Sequence, residues 1–276
     1  MSYSDTIFIN MCQDIINNGY SSEGQKVRPK WKDGEEAHTI KQFGVVNRYD
    51  LSKEFPILTL RPTNYKAAID EILWIWQKKS NNVNELNSRI WDSWADEKGS
   101  IGKAYGYQLG VKHKYKEGIF DQVDRVLYDL EHNPYSRRIM TNIYVHQDLC
   151  EMNLYPCAYS VTFNVTDNKL NAILNQRSQD VLVANNWNVV QYAALVHMFA
   201  QVSGLEVGQL VHVIADAHIY DRHIPLVKEL ISRTSYDAPK LVINKDVKSF
   251  YDFKVNDFEL INYKRGSQIK NIPVAV

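Results

Sequence analysis

The pattern of apolar and polar positions predicts four helices and four strands. From Tyr65 to Gln77, Tyr65, Ala68, Ile69, Ile72, Leu73 and Trp76 fall at helical spacing, and Ala67, Trp74 and Ile75 make the other side apolar too. That helix should be largely buried. Val123, Val126, Leu127 and Leu130 mark an amphipathic helix that ends at Asn133-Pro134, because the residue before proline disfavours helix. Two more helices are expected, over Ser4 to Asn18, ended by Gly19, and over Asn188 to Ser203, stopped by Gly204. Tyr159, Val161, Phe163 and Val165 alternate with Ser160, Thr162 and Asn164, which is a strand. Asp167-Asn168 reads as a hairpin turn returning through Leu170, Ala172 and Leu174. His38 to Tyr49 and Leu210 to Ile214 complete the strands, and the polar, Lys-rich run from Glu23 to Glu36 reads as a mobile loop. Adjacent strands with separate helices argue an α+β fold. No repeat or linker divides the chain, so one domain over 1–276 is expected.

Composition narrows the function classes. The 32 basic residues balance 32 acidic ones, which argues against a globally basic nucleic-acid binder but leaves room for a local cationic pocket. Cys12, Cys150 and Cys157 form no CxxC pair and no Cys/His ligand set. A disulfide framework and a metal site are therefore both poorly supported, and no metal is expected. The N-terminus lacks a basic and apolar leader pattern. The most apolar stretch, Val189 to Val202, is interrupted by Gln191, His197 and Gln201. No membrane association is expected, and a reducing cytoplasmic compartment is the default.

Several residues stand out chemically. Cys157 follows Leu154-Tyr155-Pro156 and directly precedes a strand. Most cysteines are small buried hydrophobes. One held at a strand end becomes a nucleophile if nearby cations or donors stabilise its thiolate. Arg177 ends the returning hairpin strand, within reach of Cys157, and Arg137-Arg138 follow the turn at Asn133-Pro134. With Arg28 in the polar loop, four arginines can converge on one phosphate, and Ser178 adds a hydroxyl donor. Glu71 lies inside an apolar helix, where burial would raise its pKa and suit it to acid/base work. Asn188 opens the last buried helix. It is either a helix cap or a side chain whose amide reads the O4 and N3 edge of a pyrimidine. His218 and Tyr220 share one side of a strand if the extension past Leu210 to Ile214 continues.

Eight segments together carry a family resemblance. They are Ile90-Trp91-Asp92-Ser93-Trp94, Lys103-Ala104-Tyr105-Gly106, Ser136-Arg137-Arg138, Leu154-Tyr155-Pro156-Cys157, Gln176-Arg177-Ser178-Gln179-Asp180-Val181, Trp187-Asn188-Val189, Asp216-Ala217-His218-Ile219-Tyr220 and Pro273-Val274-Ala275-Val276. In that order, over nearly the whole chain, the sequence resembles the folate-dependent thymidylate synthase family. The resemblance implies methylation of dUMP at C5, with 5,10-methylenetetrahydrofolate as one-carbon donor and reductant, giving dTMP and dihydrofolate. It implies that Cys157 attacks C6 of uracil, that Glu71 relays protons and that Tyr105 helps remove the C5 proton. It makes Asn188, Arg177 and Asp180 part of the catalytic set. It assigns dUMP to Arg28, Arg137, Arg138, Arg177, Ser178, Gln176, Asn188, His218 and Tyr220, and the folate to Ile90, Trp91, Leu154, Asp180, Ala184, Val274 and Ala275. It implies a homodimer formed through a face of a mixed β-sheet, with Arg137 and Arg138 reaching the partner's site, and a C-terminal lid. Ala158, Ala184 within Val183 to Trp187, Ala215, Arg61-Pro62 and Gln179 depart from the usual pattern. The alternative within the same superfamily is a dUMP hydroxymethylase, in which water rather than hydride quenches the exocyclic methylene.

Overall fold

A computed structural model describes residues 1–275, so of the C-terminal motif Val276 lies outside the described residues. In chain order the elements are α1 (Tyr3–Asn18), β1 (Tyr20–Ser21), β2 (Thr39–Asp50), α2 (Tyr65–Trp76), α3 (Gly106–Gly110), β3 (His113–Lys114), β4 (Ile119–Phe120), α4 (Gln122–His132) and β5 (Met140–Asn142). There follow β6 (Ala158–Thr166), β7 (Lys169–Gln176), β8 (Gln179–Asp180), α5 (Asn185–Val202), β9 (Glu206–Tyr220), α6 (Ile224–Ile231), β10 (Lys240–Ile243) and β11 (Phe258–Ile261).

Local chemistry explains most of these boundaries. Ser2 caps α1 by accepting from the Asp5 N–H, and the chain leaves the helix at Gly19. A Cβ at Gly19 would sit 2.3 Å from the Ile15 carbonyl oxygen, so only glycine fits there. Asn64 caps α2 and Asp121 caps α4. Asp167 and Asn168 both take positive φ, the geometry of a two-residue turn whose twist matches its strands, and β6 and β7 pair on either side of it.

Seven strands form one mixed sheet in the order β1-β2-β9-β7-β6-β5, with β8 also paired to β9. The β7–β9 and β8–β9 pairs are parallel and the rest antiparallel. The α+β expectation holds. Helix α5, buried along most of its length, packs beneath the sheet with α2 against it, and Trp74, Trp76, Phe163 and Phe199 fill the core between them. A second cluster joins α1 and α6 to the far end of β9 through Phe8, Ile15, Ile219 and Leu230.

Two expectations need correction. The strand expected over Leu210 to Ile214 runs from Glu206 to Tyr220, because pairing with β2 on one side and with β7 and β8 on the other sustains it beyond its apolar centre. Asn188 does not open α5. The helix begins at Asn185, with Ala184 at its cap position and no side-chain cap. Asn186 instead ties the helix to the chain before α2, accepting from the Leu58 N–H and Thr63 Oγ1 and donating to the Pro56 carbonyl.

Candidate active site

The strand register gathers the expected residues at one end of the sheet. Ala158 pairs with Gln176, Gln176 with Ile214, and Asp180 with His218. Just beyond the β6–β7 ladder, the Arg177 N–H donates to the Cys157 carbonyl at 2.9 Å. The Arg177 guanidinium is held by the carbonyls of Pro156 (3.0 Å) and Tyr155 (2.8 Å), which places Nη2 3.7 Å from Cys157 Sγ. Burial pushes the thiol pKa up, and the charges of Arg177 and Arg28 with a hydrogen bond from Tyr105 only partly oppose it. Arg28 is thus close enough to act on Cys157 although it lies in the polar loop. That loop is pinned: Trp31 is buried, donates to Asp221 at 3.1 Å and packs edge-on against Tyr220 and His223.

Tyr105 is buried, and its hydroxyl accepts from the Cys157 N–H at 3.2 Å. Its backbone sits at φ 48° and ψ −108°, a conformation unfavourable for a side chain with a Cβ, and the next residue is a glycine because a Cβ there would meet the Ser80 carbonyl at 2.3 Å. Trp91 packs edge-on to Tyr105 at 4.8 Å and to Trp94 at 5.9 Å.

Glu71, on α2, faces α5. It accepts from Gln191 Nε2 at 2.9 Å and Trp187 Nε1 at 3.2 Å. Burial raises its pKa to about 7, against the lowering effect of these donors. The polar contacts continue inward. Asn188 Nδ2 donates to Gln191 Oε1 at 3.1 Å, and Gln176 Nε2 donates to Asn188 Oδ1 at 3.2 Å. Asn188 thus sits in the first turn of α5 as a link between the carboxylate and the sheet.

His218 Nδ1 lies 2.8 Å from Asp216, which also pairs with Lys41 at 2.8 Å, and the rings of His218 and Tyr220 meet edge-on. Burial works against the Asp216 charge, but His218 and Lys41 hold its pKa below the usual carboxylate range. Asp180 Oδ1 accepts from the Val183 N–H, and its carboxylate is 3.7 Å from His223 Nδ1. His223 Nε2 is 2.7 Å from the Pro273 carbonyl, so this buried ring ties the C-terminal segment to Asp180. Burial opposes the imidazolium, yet Asp180 and the Pro273 carbonyl keep the His223 pKa above its ordinary value.

The remaining expected residues spread around this centre. Ser178 follows Arg177 directly, and its carbonyl accepts from Gln176 at 3.2 Å. Leu154 packs on the core, Ile90 and Val274 are exposed, and Ala184 and Ala275 are half-buried. Arg137 and Arg138 are exposed at the turn before β5, and among the described residues neither guanidinium pairs with the cluster. Sequence reasoning missed Gln191, His212, Trp31 and His223. Gln191 lies one helical turn after Asn188, so spacing offered a signal for it, whereas His223 follows the end of a strand and spacing gave none. Among the described residues no group of three or more His, Cys, Asp or Glu could hold a metal ion. No helix among them is long and apolar enough to cross a membrane.

A cysteine beside an arginine at one end of a mixed sheet, with a buried carboxylate and an amide chain opposite, has the groups of a nucleophilic active site, and the comparisons place the chain in a class of methyltransferases. The chain belongs to the thymidylate synthase family, whose sequence profile matches residues 6–276. It is 45% identical to the thymidylate synthase of Bacillus subtilis subsp. natto over 98% of both chains, and 46% identical to that of Bacillus phage phi3T over the same share. The solved structure of thermostable thymidylate synthase A from Bacillus subtilis superposes with a TM-score of 0.94, at 44% identity, covering 99% of each chain.

Proposed function

We propose that this chain converts dUMP to dTMP with 5,10-methylenetetrahydrofolate as co-substrate, releasing dihydrofolate, and that the whole chain works as one catalytic domain. The reading rests above all on Cys157 Sγ held 3.7 Å from the Arg177 guanidinium at the mouth of the sheet. In this reading the C6–S bond forms as the thiol loses its proton, and electrons move to C5 and O4 of the ring. Asn188 reads the O4 and N3–H edge. Tyr105, next to the sulfur, assists loss of the C5 proton. Glu71, poised near neutrality, exchanges protons with the ring through water. Expulsion of the thiolate at the end restores Cys157.

Arg28, Arg177 and Ser178 hold the phosphate. His218 and Tyr220 face the deoxyribose 3′-hydroxyl. When bound, the folate supplies the methylene carbon and then the hydride. The residues present fit it: Ile90 and Val274 leave apolar side chains exposed, Trp91, Leu154, Ala184 and Ala275 add apolar surface, and the Asp180 carboxylate offers an acceptor. The C-terminal segment held by His223 would exclude water. None of the relatives named above is a hydroxymethylase. The test is an assay of dUMP and methylenetetrahydrofolate with products identified by mass. The near-ultraviolet rise of dihydrofolate should match dTMP formed one to one. Hydroxymethyl-dUMP without that rise would overturn the reading.

We also infer a homodimer built on the open sheet face. One register row crosses that face as Met140, Thr162, Ile173, Val211 and Arg48. Met140 and Ile173 are 50% and 40% exposed, and the neighbouring strand adds Val46 at 50%. Such apolar sheet positions, with no helix over them among the described residues, suit a second copy of the same surface. Arg137 and Arg138 immediately precede the strand of Met140, which suits donation to the partner's phosphate site. Mixing Cys157→Ser with the double variant Arg137→Ala/Arg138→Ala, each nearly inactive alone, should restore about a quarter of native activity once subunits exchange at random. No restoration would place the arginines in their own subunit's site. The three free cysteines suit a cytoplasmic location.

A further inference from the structure

His212 lies in the middle of β9, on the apolar face of the sheet, with no exposed surface. Its Nε2 is 2.7 Å from Gln176 Oε1, the shortest link of the amide chain that leads to Glu71. The direction of that chain can be read from a backbone group. Gln176 Nε2 lies 3.2 Å from the Ser178 carbonyl, which can only accept. The amide nitrogen must therefore sit on that side, and the amide oxygen must face His212. His212 in turn must carry its proton on Nε2. The second N–H of Gln176 then donates to Asn188 Oδ1, Asn188 donates to Gln191, and Gln191 donates to Glu71. Every link donates the same way, from imidazole to carboxylate.

This direction matters because an amide turned by 180° reads a different base. A primary amide that gives an N–H to O4 and accepts from N3–H matches uracil. Flipped, it accepts from the 4-amino group and donates to N3, which matches cytosine. We propose that His212 is a positioning residue for base selectivity: by donating its Nε2–H to Gln176 it holds the Asn188 amide in the orientation that matches uracil. The proposal deepens the reading of Asn188 as the base-reading group and rests on it. The chemistry of His212 suits the task. Burial pushes its pKa down to about 3, so the ring stays neutral at working pH. Its Nδ1 is buried without a partner among the described residues, so a proton moved there would be an unsatisfied donor.

The test compares kcat/KM for dUMP and dCMP. His212→Phe keeps an aromatic ring in the core but removes the donor, which strands Gln176 Oε1. The dUMP-over-dCMP ratio should fall by about tenfold or more, mainly through a higher KM for dUMP. His212→Gln, whose amide can return an N–H to the same place, should recover most of it. An unchanged ratio in folded His212→Phe would overturn the proposal, whatever happens to its melting temperature. A second measurement needs no variant: ring ¹⁵N NMR of the native protein should show the neutral Nε2–H form of His212 from pH 5 to 8. An Nδ1–H form would equally overturn it. Asn188→Asp separates the two levels. If that change leaves the preference for dUMP intact, the base-reading role itself is wrong. If it shifts preference toward dCMP while His212→Phe does not, only the His212 assignment fails.

Discussion

Cys157→Ser should lower turnover of dUMP by at least about a thousandfold while leaving the protein folded and able to bind dUMP. The effect is large because C6 of uracil is a weak electrophile and a serine hydroxyl at this position would not ionise. Everything around the sulfur survives the change. Arg177 is anchored by the carbonyls of Tyr155 and Pro156, and its N–H by the carbonyl of residue 157, none of which depends on the side chain. The anion clamp therefore persists, and the loss should fall on kcat rather than on KM. Burial raises the pKa of the native thiol, so the proton is present at neutral pH and must leave as the bond forms. Steady-state rates, equilibrium binding of dUMP and a thermal melt check this together. A near-native rate in the serine variant would remove the covalent step.

Glu71→Gln should do two opposite things: lower kcat by about 10²- to 10³-fold and stabilise the fold above neutral pH. The first follows from losing the proton relay. The second follows from linkage. The folded carboxyl keeps its proton up to about pH 7, whereas the unfolded one releases it near its ordinary value of 4.5. Its favourable contribution is complete below about pH 4.5 and is lost as pH rises through 7. A difference of two and a half pH units corresponds to about 3 kcal/mol of strain carried at pH 8. An uncharged glutamine removes that strain. Its NH₂ would face one of the two donors, Gln191 Nε2 or Trp187 Nε1, which offsets part of the gain, so a net stabilisation of about 1–2 kcal/mol is expected, or a few degrees in melting temperature. Melts of both proteins from pH 5 to 8.5 test the sign. A glutamine variant that is less stable at pH 8, with the same pH slope as the native chain, would show that Glu71 carries no such strain.

Much of this was legible in the chain because the signals are local. Asp167-Asn168 announces its own turn, since both residues tolerate positive φ. Glu71 is conspicuous because a carboxylate amid Ala67, Ala68, Trp74 and Ile75 contradicts the helix it sits in. Cys157 gains meaning from the arginine that the hairpin returns to it, and the hairpin length was readable from alternation. Trp31 was hidden within a polar loop because its partners, Asp221, Tyr220 and His223, lie about 190 residues downstream. His212 looked like one more position in a buried strand. Its role depends on Gln176, which reaches it only through the parallel pairing of β7 with β9.

The sequence by itself determined the main helices, the hairpin and the identity of the candidate reacting groups, because helical and strand periodicity, turn chemistry and side-chain type are set within a few residues. Only the tertiary structure decided how far β9 extends, where α5 begins, and which way the amides between His212 and Glu71 point. Those depend on the register between distant strands and on the donors that packing leaves facing one another, and no local stretch of chain encodes either.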